Sequence, residues 1–282
     1  MGYPLTNSSD VSVTDNMYSY ITSALFLFCA TGYCWAVVEL ARINVIYEAL
    51  ITVVFLGIAI PFFKKADNWG DVKRLIILES IFNVICLFAK LAPLSEAGWS
   101  TVFDWLFALF FVGQVGGFLI SQIKKKAWSC IPSSLAMGVA LVIWFTQGSG
   151  TQISDQGGVH FWGGNAPEYL QLMYVFWVLN VLLVDCKQYL PKVTLLLVHV
   201  ASVFIALGSD DFFHARILTA SHLFVIGAVV MYKDIAWGGK RFATLPPLGF
   251  LNSDRPAAKT LPIIMSGACI ATLLIGIATH SV

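Results

Sequence analysis

Apolar residues run along this chain in long blocks rather than in alternation. Nine blocks have the length of about 17 to 25 residues that carries an α-helix across a bilayer. They cover roughly 17–40, 43–63, 73–92, 100–121, 127–146, 168–186, 192–208, 213–232 and 261–279. The pattern predicts an all-α, polytopic membrane helix bundle of about nine spans (seven to nine), folded as a single integral membrane domain over residues 1–282. The seventh and eighth blocks are short, which suits little tilt or a partly re-entrant path.

Between the blocks, Lys and Arg gather in clusters. Lys64, Lys65, Lys73 and Arg74 follow the second block, Lys124 to Lys126 the fourth, Lys187 and Lys192 the sixth, and Lys233, Lys240, Arg241, Arg255 and Lys259 the eighth. These are 14 of the 17 basic residues, and basic loops resist translocation, so the even-numbered loops are expected on the cytoplasmic side. Nine spans then put the N-terminus inside and the C-terminus outside. The sequon Asn7-Ser8-Ser9 would matter only with the opposite orientation. Pro61, Pro93, Pro132, Pro167 and Pro191 stand at or near block ends, where proline marks a boundary or a first turn. Gly113, Gly116 and Gly117 predict a small-residue face for close helix packing. Residues 147–167 are Gly-rich and carry no Lys or Arg, so they are expected outside, with His160 and Trp162 capping a cavity. Residues 233–260, with Pro246, Pro247 and Pro256 among basic residues, read as a cytoplasmic linker.

Composition agrees with the block pattern. Hydrophobic residues make up 58% of the chain, charged residues 12%, and the mean hydropathy is +0.78, which excludes an ordinary soluble domain. The net charge of +1 and the confinement of basic residues to loops leave no nucleic-acid surface, so no nucleic-acid partner is expected. The N-terminal segment lacks a basic n-region, so a retained first span is expected rather than a cleaved signal peptide. Six cysteines fall in or beside apolar blocks without CxxC spacing and read as small apolar fillers, not as a disulfide framework or zinc site. The expected location is a multi-pass membrane, an endomembrane such as the endoplasmic reticulum if the source is eukaryotic.

The charges inside the blocks carry the candidate chemistry. Glu48 lies about five residues into the second block, roughly 7 Å along a helix, past the edge of the hydrocarbon. A carboxylate there is costly and so points to function, or else to an interfacial acid paired with a neighbour such as Arg42. The topology places Glu39, Glu48 and Asp104 in the external half, and brings Asp210, Asp211, His214 and Arg216 to the same side, with His222 about five residues deep. Glu79 falls toward the cytoplasmic half, with Asn83 one turn beyond it.

Several chemistries are disfavoured. A retinal Schiff base needs a mid-membrane lysine, and Lys90 and Lys187 both fall at block ends. Only His199 and His222 lie within blocks as haem ligands, five histidines are too few for a di-iron hydroxylase, and HExxH and GxSxG are absent. No cofactor or metal is expected. What remains is acid chemistry on an apolar substrate, or passage of a proton or small solute. An acid in an apolar pocket stays protonated and can protonate an epoxide or alkene, and aromatic faces stabilise the cation that follows. Tyr47 adjoins Glu48, Phe103 and Trp105 flank Asp104, and Tyr174, Phe176 and Trp177 share the sixth block.

Asn44-Val45-Ile46-Tyr47-Glu48 resembles the Asn-x-x-Trp-Glu element of the small integral-membrane terpene cyclases of fungal meroterpenoid pathways. That family has Trp where this chain has Tyr47, typically seven spans, and an Asp in its last helix where 261–279 has none. The resemblance implies a cofactor-free cyclase or isomerase of a prenyl-derived, terpenoid or meroterpenoid lipid. Glu48 would be the catalytic acid, Asp104 a second acid or relay group, and Tyr47, Trp105, His222 and Asn44 would contact the substrate. The expected partners are then a prenylated apolar substrate and membrane lipid. Two other classes stay open: a transporter or channel with a proton or cation path through Glu48, Glu79, Asp104 and His222, and a non-catalytic membrane scaffold or receptor.

Overall fold

The computed structural model describes residues 13–63, 69–96, 98–185, 194–232 and 256–280. The described residues form nine α-helices and one small hairpin, so the all-α expectation holds. The helices are α1 (Val13–Ile43), α2 (Val45–Phe63), α3 (Trp69–Leu91), α4 (Trp99–Lys124), α5 (Ile131–Gln147), α6 (Glu168–Asn180), α7 (Thr194–Leu207), α8 (Phe212–Tyr232) and α9 (Pro256–His280). Among the described residues, four stretches are long and apolar enough to cross a membrane: Ala24–Ile43, Trp99–Lys124, Trp128–Gln147 and Thr260–Thr279. Val45–Phe55, Glu168–Leu183 and Leu196–Leu207 are apolar but shorter. Four of the nine expected spans are thus shown to be long and apolar enough to cross, while the second, third, sixth, seventh and eighth are helical but are not among them, so the count of nine is not shown. The sequon, Lys187, Pro191 and most of the 233–260 segment lie outside the described residues, and so does the side chain of Glu79.

Local chemistry sets the helix ends. Asn44 interrupts the chain between α1 and α2, its Oδ1 accepting the Ile46 N–H at 2.9 Å as a cap does. The two helices fold back about it, which brings Tyr33 against Phe55 with ring centroids 6.0 Å apart. Pro132 occupies the first turn of α5 and Pro167 caps α6, positions that need no backbone N–H. Pro61 lies two residues before the end of α2, and Pro262 lies inside α9, where its carbonyl accepts from Asn180 Nδ2 at 3.2 Å. Asn180 Nδ2 also donates to Ser133 Oγ at 3.0 Å and Ser266 Oγ at 2.8 Å, tying α5, α6 and α9 at one buried point.

Close helix packing occurs elsewhere than expected. A Cβ added at Gly113, Gly116 or Gly117 would meet no atom within 4 Å, so these glycines do not sit in a tight helix crossing. The tight crossing is between α6 and α9, where the Tyr169 ring would lie 2.4 Å from a Cβ on Gly276. Ser266, Cys269 and Gly276 give α9 the narrow face that permits it.

The connection 148–167 folds down onto one end of the bundle. Gln152–Ile153 (β1) pairs antiparallel with Val159–His160 (β2), and a short 3-10 turn, Phe161–Gly163, follows. Phe161 and Trp162 are buried in an aromatic core: Phe161 meets Phe107 and Phe111 edge-on at 4.5 and 5.3 Å, and Trp162 meets Trp144 at 4.7 Å. Trp162 holds a left-handed backbone, φ 56°, a strained state for a bulky residue that this packing maintains.

Candidate functional site

The ends of α1, α3 and α7 and the starts of α2, α4 and α8 meet beneath the hairpin, and the buried charges gather there. α2 carries Glu48 one turn from its start, α3 carries Cys86 and Lys90 one turn apart on one face, and α8 carries His214 just inside its first turn. Glu48 Oε2 lies 2.8 Å from Lys90 Nζ, and Glu48 Oε1 lies 3.2 Å from His214 Nε2. Lys90 also donates to the Ala41 carbonyl at 2.7 Å, at the end of α1. All three side chains are nearly sealed from solvent, at 1% exposure for Glu48, 6% for Lys90 and 2% for His214. Charges this deep persist only when they compensate one another, and here the ammonium and the carboxylate do so.

His214 is the branching point. Its Nδ1 faces two groups at once: the Val159 N–H of the hairpin at 3.4 Å and Asp211 Oδ2 at 3.5 Å. One ring nitrogen serves only one of them at a time. With Nδ1 unprotonated it accepts from Val159 and the Nε2–H donates to Glu48. With Nδ1 protonated it donates to Asp211 and the Val159 N–H loses its acceptor. Asp211 lies in the turn before α8; burial pushes its carboxyl up, and the His214 ring, followed by the Arg42 charge, outweighs this and holds it below the usual carboxylate range.

Glycines let the hairpin sit this close. Gly157, at φ +83°, would place a Cβ 2.1 Å from the Arg42 carbonyl oxygen, and Gly158 would place one 1.2 Å from Asp211 Oδ2. His160 Nε2 adds a short contact to the Asp210 carbonyl. His160 is only half-buried, so the capping expected of His160 and Trp162 is carried by Phe161, Trp162 and the glycine turn.

The expected site residues do not form one pocket. Asp104 is half-buried and accepts from Thr151 Oγ1 at 2.7 Å, so it anchors the hairpin start and does not join Glu48. Tyr47 is exposed and Trp105 is 62% exposed with its ring against Phe145 at 4.9 Å, because residues adjacent to an inward acid point to other faces of the helix. Asn44 is exposed and caps α2. His222 is buried two turns below His214, with Nδ1 2.9 Å from the Tyr33 hydroxyl and its ring stacked on Phe55 at 4.2 Å. Arg42 pairs with Glu39 at 3.3 Å, so the partner expected for Glu48 is replaced by Lys90. Lys90 and Cys86 escaped notice as neighbours of Glu48, whereas Asp211 and His214 were expected on its side; the i, i+4 spacing of Cys86 and Lys90 at the end of an apolar block was the available signal.

Two ligand-binding capacities follow. Glu48, Cys86 and His214 each turn a donor atom toward a common point, within 4.8 Å of one another. Lys90 already neutralises the carboxylate at 2.8 Å, so the set fits an ion-pair network better than a divalent cation. A cavity of about 200 Å³ opens between α3, α4, α6 and α8, lined by Leu78, Phe110, Gln114, Tyr174, Trp177 and Ile217 among others. Glu48 and Asp104 are not among its lining residues. Gly113 and Gly117 also line it, which accounts for the open space beside them. No protein-family model, curated protein or solved structure matches this chain.

Proposed function

We propose that the chain is a membrane transporter or channel component that loads a proton at His214 and passes it through the bundle, with the hairpin as its gate. The observation that carries this reading is the placement of His214 Nδ1 between the Val159 N–H of the hairpin and the Asp211 carboxylate. A proton arriving at Nδ1 exchanges one partner for the other and so weakens the attachment of the hairpin. On the opposite edge of the ring, Nε2 reaches Glu48 at 3.2 Å, whose other oxygen lies 2.8 Å from Lys90 Nζ. Thr52, one turn beyond Glu48 on α2, is buried with no hydrogen-bond partner for its hydroxyl, and His222 lies deeper on α8. Water between these groups would continue the path. In this reading the chain crosses an endomembrane nine times, with the hairpin on the non-cytoplasmic side, which the basic-loop count supports.

Hydrogen exchange in detergent tests the gate. The protection factor of the Val159 amide falls on acidification in the wild type and is independent of pH in His214→Gln. Equal pH dependence in both would remove His214 from the gate.

The aromatic-lined cavity favours a second reading, cyclisation of a prenylated lipid without a cofactor. It requires an acid at the cavity, whereas Glu48 is engaged by Lys90 and His214. A product of unchanged mass from a prenyl epoxide, lost in Glu48→Gln, would establish that reading in place of the first.

A further inference from the structure

The cavity between α3, α4, α6 and α8 stands apart from the proton path, since neither Glu48 nor His214 lines it. Its lining among the described residues includes no Lys, Arg, His, Asp or Glu, so a charged ligand would meet no opposite charge there. Two polar side chains do face it. Gln114 on α4 and Tyr174 on α6 have no hydrogen-bond partner among the described residues, and their polar ends are not sealed, so the amide and the hydroxyl border open space. Both also line an adjoining space of about 10 Å³, room for one water, together with Met137, Leu141 and Phe213, which places them on the inner wall of the cavity. The third polar residue, Ser221, donates to the Ile217 carbonyl at 2.8 Å and keeps its oxygen as an acceptor.

Size and shape narrow the ligand further. A volume of about 200 Å³ exceeds the roughly 150 Å³ that takes up benzene and falls short of the roughly 300 Å³ at which drug-sized sites begin, so it suits one substituted ring. Phe110, Phe118 and Trp177 supply ring surface: Phe118 meets Trp177 edge-on at 5.4 Å, and the Trp177 N–H is spent on Ser134 Oγ at 3.0 Å, which leaves the indole apolar toward the cavity. One wall is glycine. Gly113 and Gly117 stand one turn apart on α4, and a Cβ at either would meet no atom within 4 Å, so larger side chains there would fill the cavity without displacing a neighbour. The glycines that predict close helix packing from the sequence instead leave room for a ligand. Leu78 is half-buried and Gly113 exposed, so the cavity opens on the flank of the bundle between α3 and α4, where a molecule dissolved in the membrane would arrive. We propose that this cavity binds a neutral single-ring molecule carrying a carbonyl oxygen, its ring among Phe110, Phe118 and Trp177 and its oxygen accepting from the Gln114 amide and the Tyr174 hydroxyl.

The test is calorimetry of the full chain in detergent, with acetophenone as the probe, ethylbenzene as its counterpart without oxygen and benzoate as the charged one, each corrected for uptake by protein-free micelles. Acetophenone is expected to bind saturably and benzoate not to bind. The double variant Gly113→Leu, Gly117→Leu fills the cavity and abolishes binding of both neutral probes, whereas Gly116→Ala, on the same helix but outside the lining, retains it. Gly117→Leu alone serves if the double variant does not fold. Tyr174→Phe and Gln114→Leu each weaken acetophenone about 3- to 10-fold, the net worth of one hydrogen bond, and leave ethylbenzene unchanged, a difference that a merely apolar cavity would not show. Absence of proton flux with intact acetophenone binding would refute the relay and leave this site standing. Heat no greater than that of empty micelles, benzoate bound as tightly as acetophenone, undiminished affinity in the folded glycine variants, or acetophenone affinity unchanged in both Tyr174→Phe and Gln114→Leu would each overturn the inference.

Discussion

Glu48 stands between an ammonium at 2.8 Å and an imidazole at 3.2 Å, with almost no solvent. Removing one member leaves the other charge uncompensated in a medium that cannot solvate it. Glu48→Gln and Lys90→Met should therefore each destabilise the chain by about 3–5 kcal/mol, and the double variant by clearly less than the sum. Denaturant unfolding in detergent measures all three, and additive losses would mean that the pair is not coupled. Asp211 adds a pH dependence whose sign is fixed by its lowered folded value. A carboxyl with a depressed folded value contributes stability that is complete above its unfolded value near about 4 and disappears as pH falls through the folded value. Melting temperature should accordingly drop on acidification below about pH 4 in the wild type, with a shallower drop in Asp211→Asn. The sequence marked Glu48 by the cost of a lone acid in an apolar block, yet left its partners open. Lys90 is 42 positions away, and only the meeting of α2 and α3 brings it to Glu48.

Among elements, the hairpin was the least legible in advance. Two-residue strands leave no alternation to read, and the Gly-rich composition indicated a loop without saying that it turns inward. Its packing makes a specific demand on Gly157 and Gly158. A methyl at Gly158 would coincide with Asp211 Oδ2, and one at Gly157 would meet both a backbone carbonyl and an unfavourable φ. Gly158→Ala should lift the hairpin without unfolding the helices: limited proteolysis between 154 and 158 accelerates while helical circular dichroism is retained. A cleavage rate equal to the wild type would show that the hairpin does not depend on this contact. The helices themselves were legible, because long apolar blocks bounded by Pro, Asn and basic residues have few alternatives to helix. The assigned contact residues Tyr47 and Trp105 show the opposite case: adjacency in sequence turns a helical side chain by about 100°, away from an inward neighbour.

For the whole molecule, alternation of the helices brings the buried charges to one end and leaves the lysine-rich connection after α4 at the other. The orientation reading predicts the exposure of each end. In sealed right-side-out vesicles, a membrane-impermeant maleimide should label Gln156→Cys directly and Lys125→Cys only after permeabilisation. The reverse pattern would invert the topology and place the hairpin on the cytoplasmic side. The central claim, that His214 and Glu48 carry protons, is tested most directly by reconstituting the full chain in liposomes loaded with a pH-sensitive dye and imposing a potassium diffusion potential. The account predicts proton entry that falls at least about tenfold in both His214→Gln and Glu48→Gln while both variants remain folded. Flux equal to that of empty liposomes in the wild type, or unchanged flux in folded variants, would contradict it.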